Sequence, residues 1–305
     1  MKRKKRLAER AQVLRSIRSF FDARGFLEVE TPSIVPSPGM DLHLDAFEVA
    51  DAGWLVTSPE YQMKRLLCEG YERIYQLGRC YRRNEQGAQH NAEFTMLEWY
   101  RGHAGVEDVV RDTEQLVASV SGGRFVIDGG VIDARPPFAR LTVCEAFERF
   151  ARVSAIETLD MASNDEDRFY RLLVDHVEPA LAQLPHAVFL TEYPTPMASL
   201  ARKKPGDPRV AERFELYVAG VELCNGFGEL TDPGEQRARF LADQDARRAR
   251  GLPVHALDEK FLAALEHGEG MPPSGGNALG VDRLVALACG TREIEGVLAF
   301  TAEET

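Results

Sequence analysis

The stretch from Leu77 to Tyr100, LGRCYRRNEQGAQHNAEFTMLEWY, constrains this chain more than any other. Two strand-like runs flank a long polar loop. In the second run Phe94, Met96, Glu98 and Tyr100 fall on one face of a strand, and Thr95, Leu97 and Trp99 on the other. A carboxylate among apolar neighbours is costly to bury unless something pairs with it. The first run puts Gly78, Cys80 and Arg82 on one face. Small residues beside a guanidinium leave floor space for a ligand. An arginine entering a polar loop, with a phenylalanine beyond it, suits a nucleotide: guanidinium on phosphate, ring on base.

Leu7, Leu14, Ile17, Phe20 and Phe21 recur at helical spacing behind the basic cluster Lys2 to Arg6, and Gly25 is a natural stop. The cluster itself reads as a solvated helix start. FLEVETPSIVPSPG gives a short strand ending at Pro32. Leu55 to Glu60 is a strand and turn leading into a helix that carries Tyr61, Lys64, Arg65 and Cys68 at helical intervals. Glu60 has two readings, a first-turn acid or part of a binding pocket.

Residues 103–190 read as a helical insertion. Helices are expected at Val106 to Val120, Thr142 to Ala151 and Glu166 to His176, the last broken near Pro179, with Ser121 to Gly130 a turn-rich connector. FELYV and VELCNGF then form a hairpin about Ala219-Gly220. On a regular strand Glu222 and Glu229 would face opposite sides. A bulge at Gly226 or Gly228 would bring both to one ligand, and two carboxylates near a phosphate-binding arginine suit Mg²⁺. Gln236 to Arg250 reads as an exposed polar helix and Phe261 to Glu266 as a short one. In SGGNALGVDRLVALACG a glycine-rich strand end runs into a helix at Asp282. Gly280 would let backbone approach a nucleotide, with Arg283 in the first helical turn. The AEET tail reads as mobile.

At 305 residues, 44% hydrophobic and 28% charged, the chain can bury a large core. Its five cysteines are scattered without metal-ligand spacing, which favours free thiols in a reducing, cytoplasmic setting. No apolar run reaches membrane-spanning length and no signal peptide stands at the start. A net charge of −11 argues against broad binding to a phosphate backbone, which needs a basic face.

Tyr81-Arg82, the loop to Gln89 and His90-Asn91-Ala92-Glu93-Phe94 resemble motif 2 of the class II aminoacyl-tRNA synthetases, in its lysyl form. The usual Arg-x-Glu is offset here. Counting back from His90 selects Arg82 over Arg83, puts Asn84 in the third position and leaves the acid at Glu85. The helix, strand and Pro32 resemble motif 1, a dimer-interface element. Gly280-Val281-Asp282-Arg283 resembles motif 3. Glu222, Leu223, Asn225, Phe227 and Glu229 match the lysyl pattern E-L-x-N-G-F-x-E-L.

The resemblance covers almost the whole chain and implies an α+β fold, an antiparallel sheet flanked by helices, as one catalytic domain over residues 1–305. Motif 1 begins within the first residues, so no anticodon-reading OB-fold is expected before it. In length and motifs the chain is similar to the truncated lysyl-tRNA synthetase paralogues that ligate lysine to elongation factor P. Adenylation from ATP and Mg²⁺ is thereby implied, then transfer to a lysine of that protein, with a homodimer expected and tRNA not.

By resemblance Arg82 takes the ATP α-phosphate and Arg283 the γ-phosphate. Phe94 stacks on adenine and Asn91 bonds the nucleotide. Arg83, Asn84, Leu223 and Gly280 complete the nucleotide site, and Glu222 and Glu229 hold the metal. Ser58, Pro59, Glu60, Glu98, Tyr100, Asn225 and Glu229 surround a substrate with two amines, since each desolvated ammonium needs a partner. Ala278 stands where lysyl-tRNA synthetases have glycine. It either disfavours α-lysine against (R)-β-lysine or merely packs. Two rival readings are a truncated enzyme that charges tRNA and an inactive synthetase-like regulator.

Overall fold

The computed structural model describes residues 2–42, 44–198, 200–301 and 304. The chain runs α1 (Lys2–Asp22), β1 (Leu27–Glu28), β2 (Ile34–Val35), β3 (Glu48–Val49), β4 (Gly53–Leu55), α2 (Glu60–Cys68), β5 (Arg73–Tyr81) and β6 (Glu93–Gly102). Then come α3 (Val106–Ser121), β7 (Arg124–Ile127), β8 (Gly130–Asp133), β9 (Ala139–Thr142), α4 (Val143–Ala146), α5 (Ala155–Asn164), α6 (Glu166–Leu172), α7 (Glu178–Leu181) and β10 (Val188–Thr191). The last part holds β11 (Lys203–Lys204), β12 (Asp207–Ala211), β13 (Arg213–Val218), β14 (Val221–Gly228), α8 (Pro233–Ala249), α9 (Glu259–Glu266), β15 (Ser274–Gly280) and α10 (Val281–Ala288).

Eight strands form one sheet in the order β1-β5-β6-β15-β14-β13-β10-β9. The middle of the sheet is antiparallel, as the sequence leads one to expect, but both outer pairs, β1 with β5 and β9 with β10, are parallel. Alternation in β6 splits the two faces. Leu97 and Trp99 join α1, α3 and α10 in one core, where Phe21 stacks on Tyr75 at 4.6 Å. Tyr100 joins α2, α8 and α9 in a second core with Tyr61, Phe240 and Phe261. Asp282 pins the sheet to α1: its two oxygens accept from Arg10 (2.6 Å) and from the Thr95 backbone (2.8 Å).

Several expectations are corrected. The strand after Phe26 ends at Glu28, well before Pro32, because Thr31 N–H turns to the Gln76 side chain instead of a neighbouring strand. The strand read at Leu55 is the end of β4, and residues 56–59 are already the turn. Ser121 to Gly130 is no mere connector; it leads into the β7–β8 hairpin. The insertion is only partly helical, since β9 joins the main sheet and α3 packs in the main core. Its later part, around Phe147 and Phe169, packs in a separate core that it shares with Leu190 of β10 and Tyr217 of β13. Pro179 does not end the helical run: π-helical residues Leu173–Val177 lead directly into α7, with the proline in the first turn, where its missing N–H is tolerated.

Helix α8 is not a freely exposed helix, for Gln236, Phe240, Gln244 and Arg247 are buried. Arg247 is fully buried and donates to the carbonyls of Asp41 (2.8 Å), Leu44 (3.2 Å) and Pro253 (2.6 Å). Of the AEET tail only Glu304 is described, and it pairs with Arg3; Ala302, Glu303 and Thr305 lie outside the described residues.

Candidate active site

The face of the sheet toward α2 and α8 carries a cavity of about 760 Å³. Arg82 and Arg283, far apart in the chain, both line it. Arg82 leaves the end of β5, and its backbone N–H donates to Ala92 O (2.8 Å), closing the neck of the polar loop. Its guanidinium stands 5.0 Å from the centre of the Phe94 ring and 3.5 Å from Glu85. The cation thus rests over an aromatic face, and the offset acid Glu85 reaches both the cavity and the arginine.

Arg283 rises from the first turn of α10. It donates to Glu222 O (2.7 Å) and Gln89 O (3.2 Å), meets His90 Nε2 at 2.7 Å, and lies 3.6 Å from the Glu222 carboxylate. Burial and then the Arg283 charge push His90 down; a guanidinium only donates, so Nε2 is the acceptor of this contact. Burial, then the charge of Glu215, pushes Glu222 up to about 7.

How Glu222 reaches this wall follows from the hairpin. Ala219 and Gly220 both have positive φ, 52° and 79°, the backbone of a tight two-residue turn. Pairing then shifts: Leu216 opposes Cys224 while Tyr217 opposes Glu222, so Leu223 is an extra residue. The expected bulge exists, but at Leu223 and not at Gly226 or Gly228. It resets the alternation, and Glu222 shares the cavity wall with Asn225 and Phe227. Asn225 Oδ1 is buried with no hydrogen-bond donor among the described residues, an acceptor suited to an incoming amine.

At the other end of the cavity the acids cluster. Glu98 is 1% exposed; its oxygens accept from Ser58 Oγ (2.7 Å) and Tyr100 OH (2.6 Å). Burial, then the charge of Glu60, pushes Glu98 up to about 8. Glu60 opens α2, so it is a first-turn acid and a cavity residue at once. Lys64, one turn on, has a fully buried side chain and reaches Glu60 Oε1 at 2.5 Å and Glu229 Oε2 at 2.6 Å. Burial alone would depress this ammonium; Glu229 and then Glu60 outweigh it and push it above the usual lysine range. Glu229 itself is pushed up to about 7, by burial, against the pull of Lys64.

Ser58, Glu60, Arg82, Asn91, Phe94, Glu222, Leu223, Asn225, Ala278, Gly280 and Arg283 all line the cavity, as the sequence suggested. Six other candidates do not. Pro59 serves the start of α2, its carbonyl accepting from Met63 N–H (3.0 Å). Arg83 and Asn84 turn to Asp45, through the Arg83 N–H (2.7 Å) and the Asn84 amide (3.3 Å). Glu98 and Tyr100 stand behind Ser58. Glu229 pairs with Lys64 through Oε2, its buried Oε1 has no hydrogen-bond donor among the described residues, and it does not join Glu222 on the wall.

Among the described residues no group of three or more His, Cys, Asp or Glu could hold a metal ion. A lone Glu222 still fits a hard cation that arrives with phosphate oxygens of its own. Lys64 was missed as part of this site. Its helical interval marked it as one face of α2, and only its four-residue spacing from Glu60 hinted at the pair.

The chain belongs to the class II tRNA synthetases: the family model for tRNA synthetases class II (D, K and N) matches residues 1–304. More particularly, it is similar to curated proteins named elongation factor P–(R)-β-lysine ligase. That of Edwardsiella ictaluri is 43% identical, over 97% of this chain and 95% of its own length. That of Proteus mirabilis is 42% identical, over 96% and 94%, and that of Hamiltonella defensa 40%, over 97% and 95%.

Proposed function

We propose that this protein is an ATP-dependent ligase that activates a lysine, (R)-β-lysine in preference, and passes it to a lysine side chain of elongation factor P. One observation carries the reading: two arginines from separate motifs line one cavity whose far end gathers acids and an unpartnered amide oxygen. The names of the relatives point to the acceptor.

The substrate carboxylate attacks the ATP α-phosphorus, pyrophosphate leaves, and an acyl-adenylate remains. No side chain acts as nucleophile; the protein positions the reactants and offsets phosphate charge. Arg82 faces the α-phosphate, with Phe94 beside it for the adenine. Asn91 also lines this end, its amide turned to Glu93 O (2.6 Å) in the free protein. Arg283 exchanges its carbonyl partners for the γ-phosphate. Glu222 is the residue that would hold Mg²⁺, a cation that would supply further compensation of phosphate charge. Glu60 and Asn225 receive the amines, with Glu98 behind Ser58. In the second step the acceptor amine attacks the acyl carbonyl, AMP departs, and the amine gives up a proton as the amide forms.

Ala278 lies opposite both Glu98 and Asn225 in the sheet and lines the cavity. Its methyl group disfavours α-lysine against the isomer whose amine sits one carbon further along. A homodimer through the motif 1 region is supported by Leu27 of β1 and Ile34 of β2, which stand 51% and 44% exposed. All five cysteines are free, which suits a reducing compartment. No helix among the described residues is long and apolar enough to cross a membrane.

Incubation of the protein with ATP, each lysine isomer and elongation factor P, read by mass spectrometry, tests the proposal. A lysyl mass increment on the acceptor is expected. Efficient charging of tRNA with no modification of the acceptor would replace this reading with the tRNA one.

A further inference from the structure

Lys64 is a fully buried cation that does not line the cavity, yet it touches an acid that does. A desolvated ammonium is tolerated only when paired, and here two carboxylates are spent on it. Those two differ. Glu229 has a side chain 1% exposed and lies off the wall, whereas Glu60 is 18% exposed and on it. Lys64 engages Glu60 Oε1, and Oε2 makes no hydrogen bond among the described residues. The spacing on α2, acid before lysine by one turn, is the favourable order for such a pair.

A second observation guards the other half of the arrangement. A Cβ on Gly276 would stand 2.3 Å from Glu229 Oε1 and 2.3 Å from the Tyr100 ring. The strand therefore leaves out a side chain where Glu229 sits. The Tyr100 ring in turn lies 6.0 Å from Lys64 Nζ.

We propose that Lys64, anchored by Glu229, is a positioning residue for amino-acid binding. It fixes Glu60 through one oxygen and leaves the other for a substrate ammonium. By cancelling one of the clustered acids, it also limits the negative charge the pocket offers. The inference rests on the reading that this end of the cavity takes a lysine-like diamine, and it adds a residue that reading did not need.

The test compares Lys64→Met, Lys64→Arg and the double variant Lys64→Met/Glu229→Gln with the parent. ATP–pyrophosphate exchange gives KM for the amino acid and for ATP separately, and thermal unfolding checks the fold. Removing one partner of a buried pair leaves the other charge stranded, so the single Met variant can fail to fold. The double variant removes both charges and keeps the question answerable. We expect Lys64→Met and the double variant to raise the amino-acid KM at least tenfold while the ATP KM stays within twofold. Lys64→Arg should recover most of the loss. A parental amino-acid KM in the double variant, an equal rise in both KM values, or an arginine variant no better than methionine overturns the proposal. A parent with no exchange on either lysine isomer sinks the functional reading itself and takes this inference with it.

Discussion

Loss of the Arg82 guanidinium is expected to cut kcat/KM for pyrophosphate exchange by about 10²–10³ or more, the scale of one preorganised charge-stabilising donor. Arg82→Ala should leave the melting temperature close to parental, since its side-chain contacts are a ring face, a long hydrogen bond to Thr57 O (3.4 Å) and a loosely held acid at 3.5 Å. Ala278→Gly is a subtler change. A methyl-sized contact is worth about 1–3 kcal/mol of discrimination, so the variant should gain on α-lysine relative to (R)-β-lysine by about tenfold or more in kcat/KM. An unchanged ratio would reduce Ala278 to packing. Residues of this kind were readable because a strand assigns faces by simple alternation: Arg82, Phe94 and Glu98 all follow from counting. Lys64 was not, because a helical interval says which side a residue takes but not that an acid from a distant strand, Glu229, meets it there.

Strand β15 shows how much a whole element is shaped by its neighbours. Gly276→Ala places a methyl 2.3 Å from the edge of the Tyr100 ring and from Glu229 Oε1. Overpacking of this sort costs about 1–3 kcal/mol, so a lower unfolding midpoint is expected, together with weaker amino-acid binding in a calorimetric titration. Glycine-rich strand ends read from sequence as room for a nucleotide. At Gly276 the room serves a buried glutamate. The long antiparallel strands and their hairpin were legible because alternation and an Ala-Gly turn are local signals. Strand β9 was not: its four residues, Ala139–Thr142, are too short to show a period, and parallel pairing with β10 depends on contacts across the insertion. The bulge was foreseen from the odd spacing of Glu222 and Glu229. Its position was misplaced because glycine marks where a bulge is easy, while the register with β13 decides where it falls.

Over the whole molecule the buried acids on and behind the cavity wall set a pH dependence. Glu98 is pushed up to about 8, and Glu222 and Glu229 to about 7, all first by burial. The unfolded chain holds such protons only to about pH 4.3. The folded state therefore binds more protons between these values, and its stability falls as pH rises through that window. The ligand-free protein should melt lower at pH 9 than at pH 6, measured by calorimetry in matched ionic strength. Saturating amino acid should narrow the difference, because its ammonium groups favour the ionised acids. A melting temperature that climbs over this range would contradict the arrangement.

The anchoring of Arg247 carries a last consequence. One guanidinium grips the carbonyls of Asp41 and Leu44, and the neighbouring Asp45 holds Arg83 and Asn84 of the polar loop. Helix α8, the residues Asp41, Leu44 and Asp45 and the base of the polar loop are thereby linked in series. Displacing that helix would therefore disturb the base of the loop that Arg82 opens.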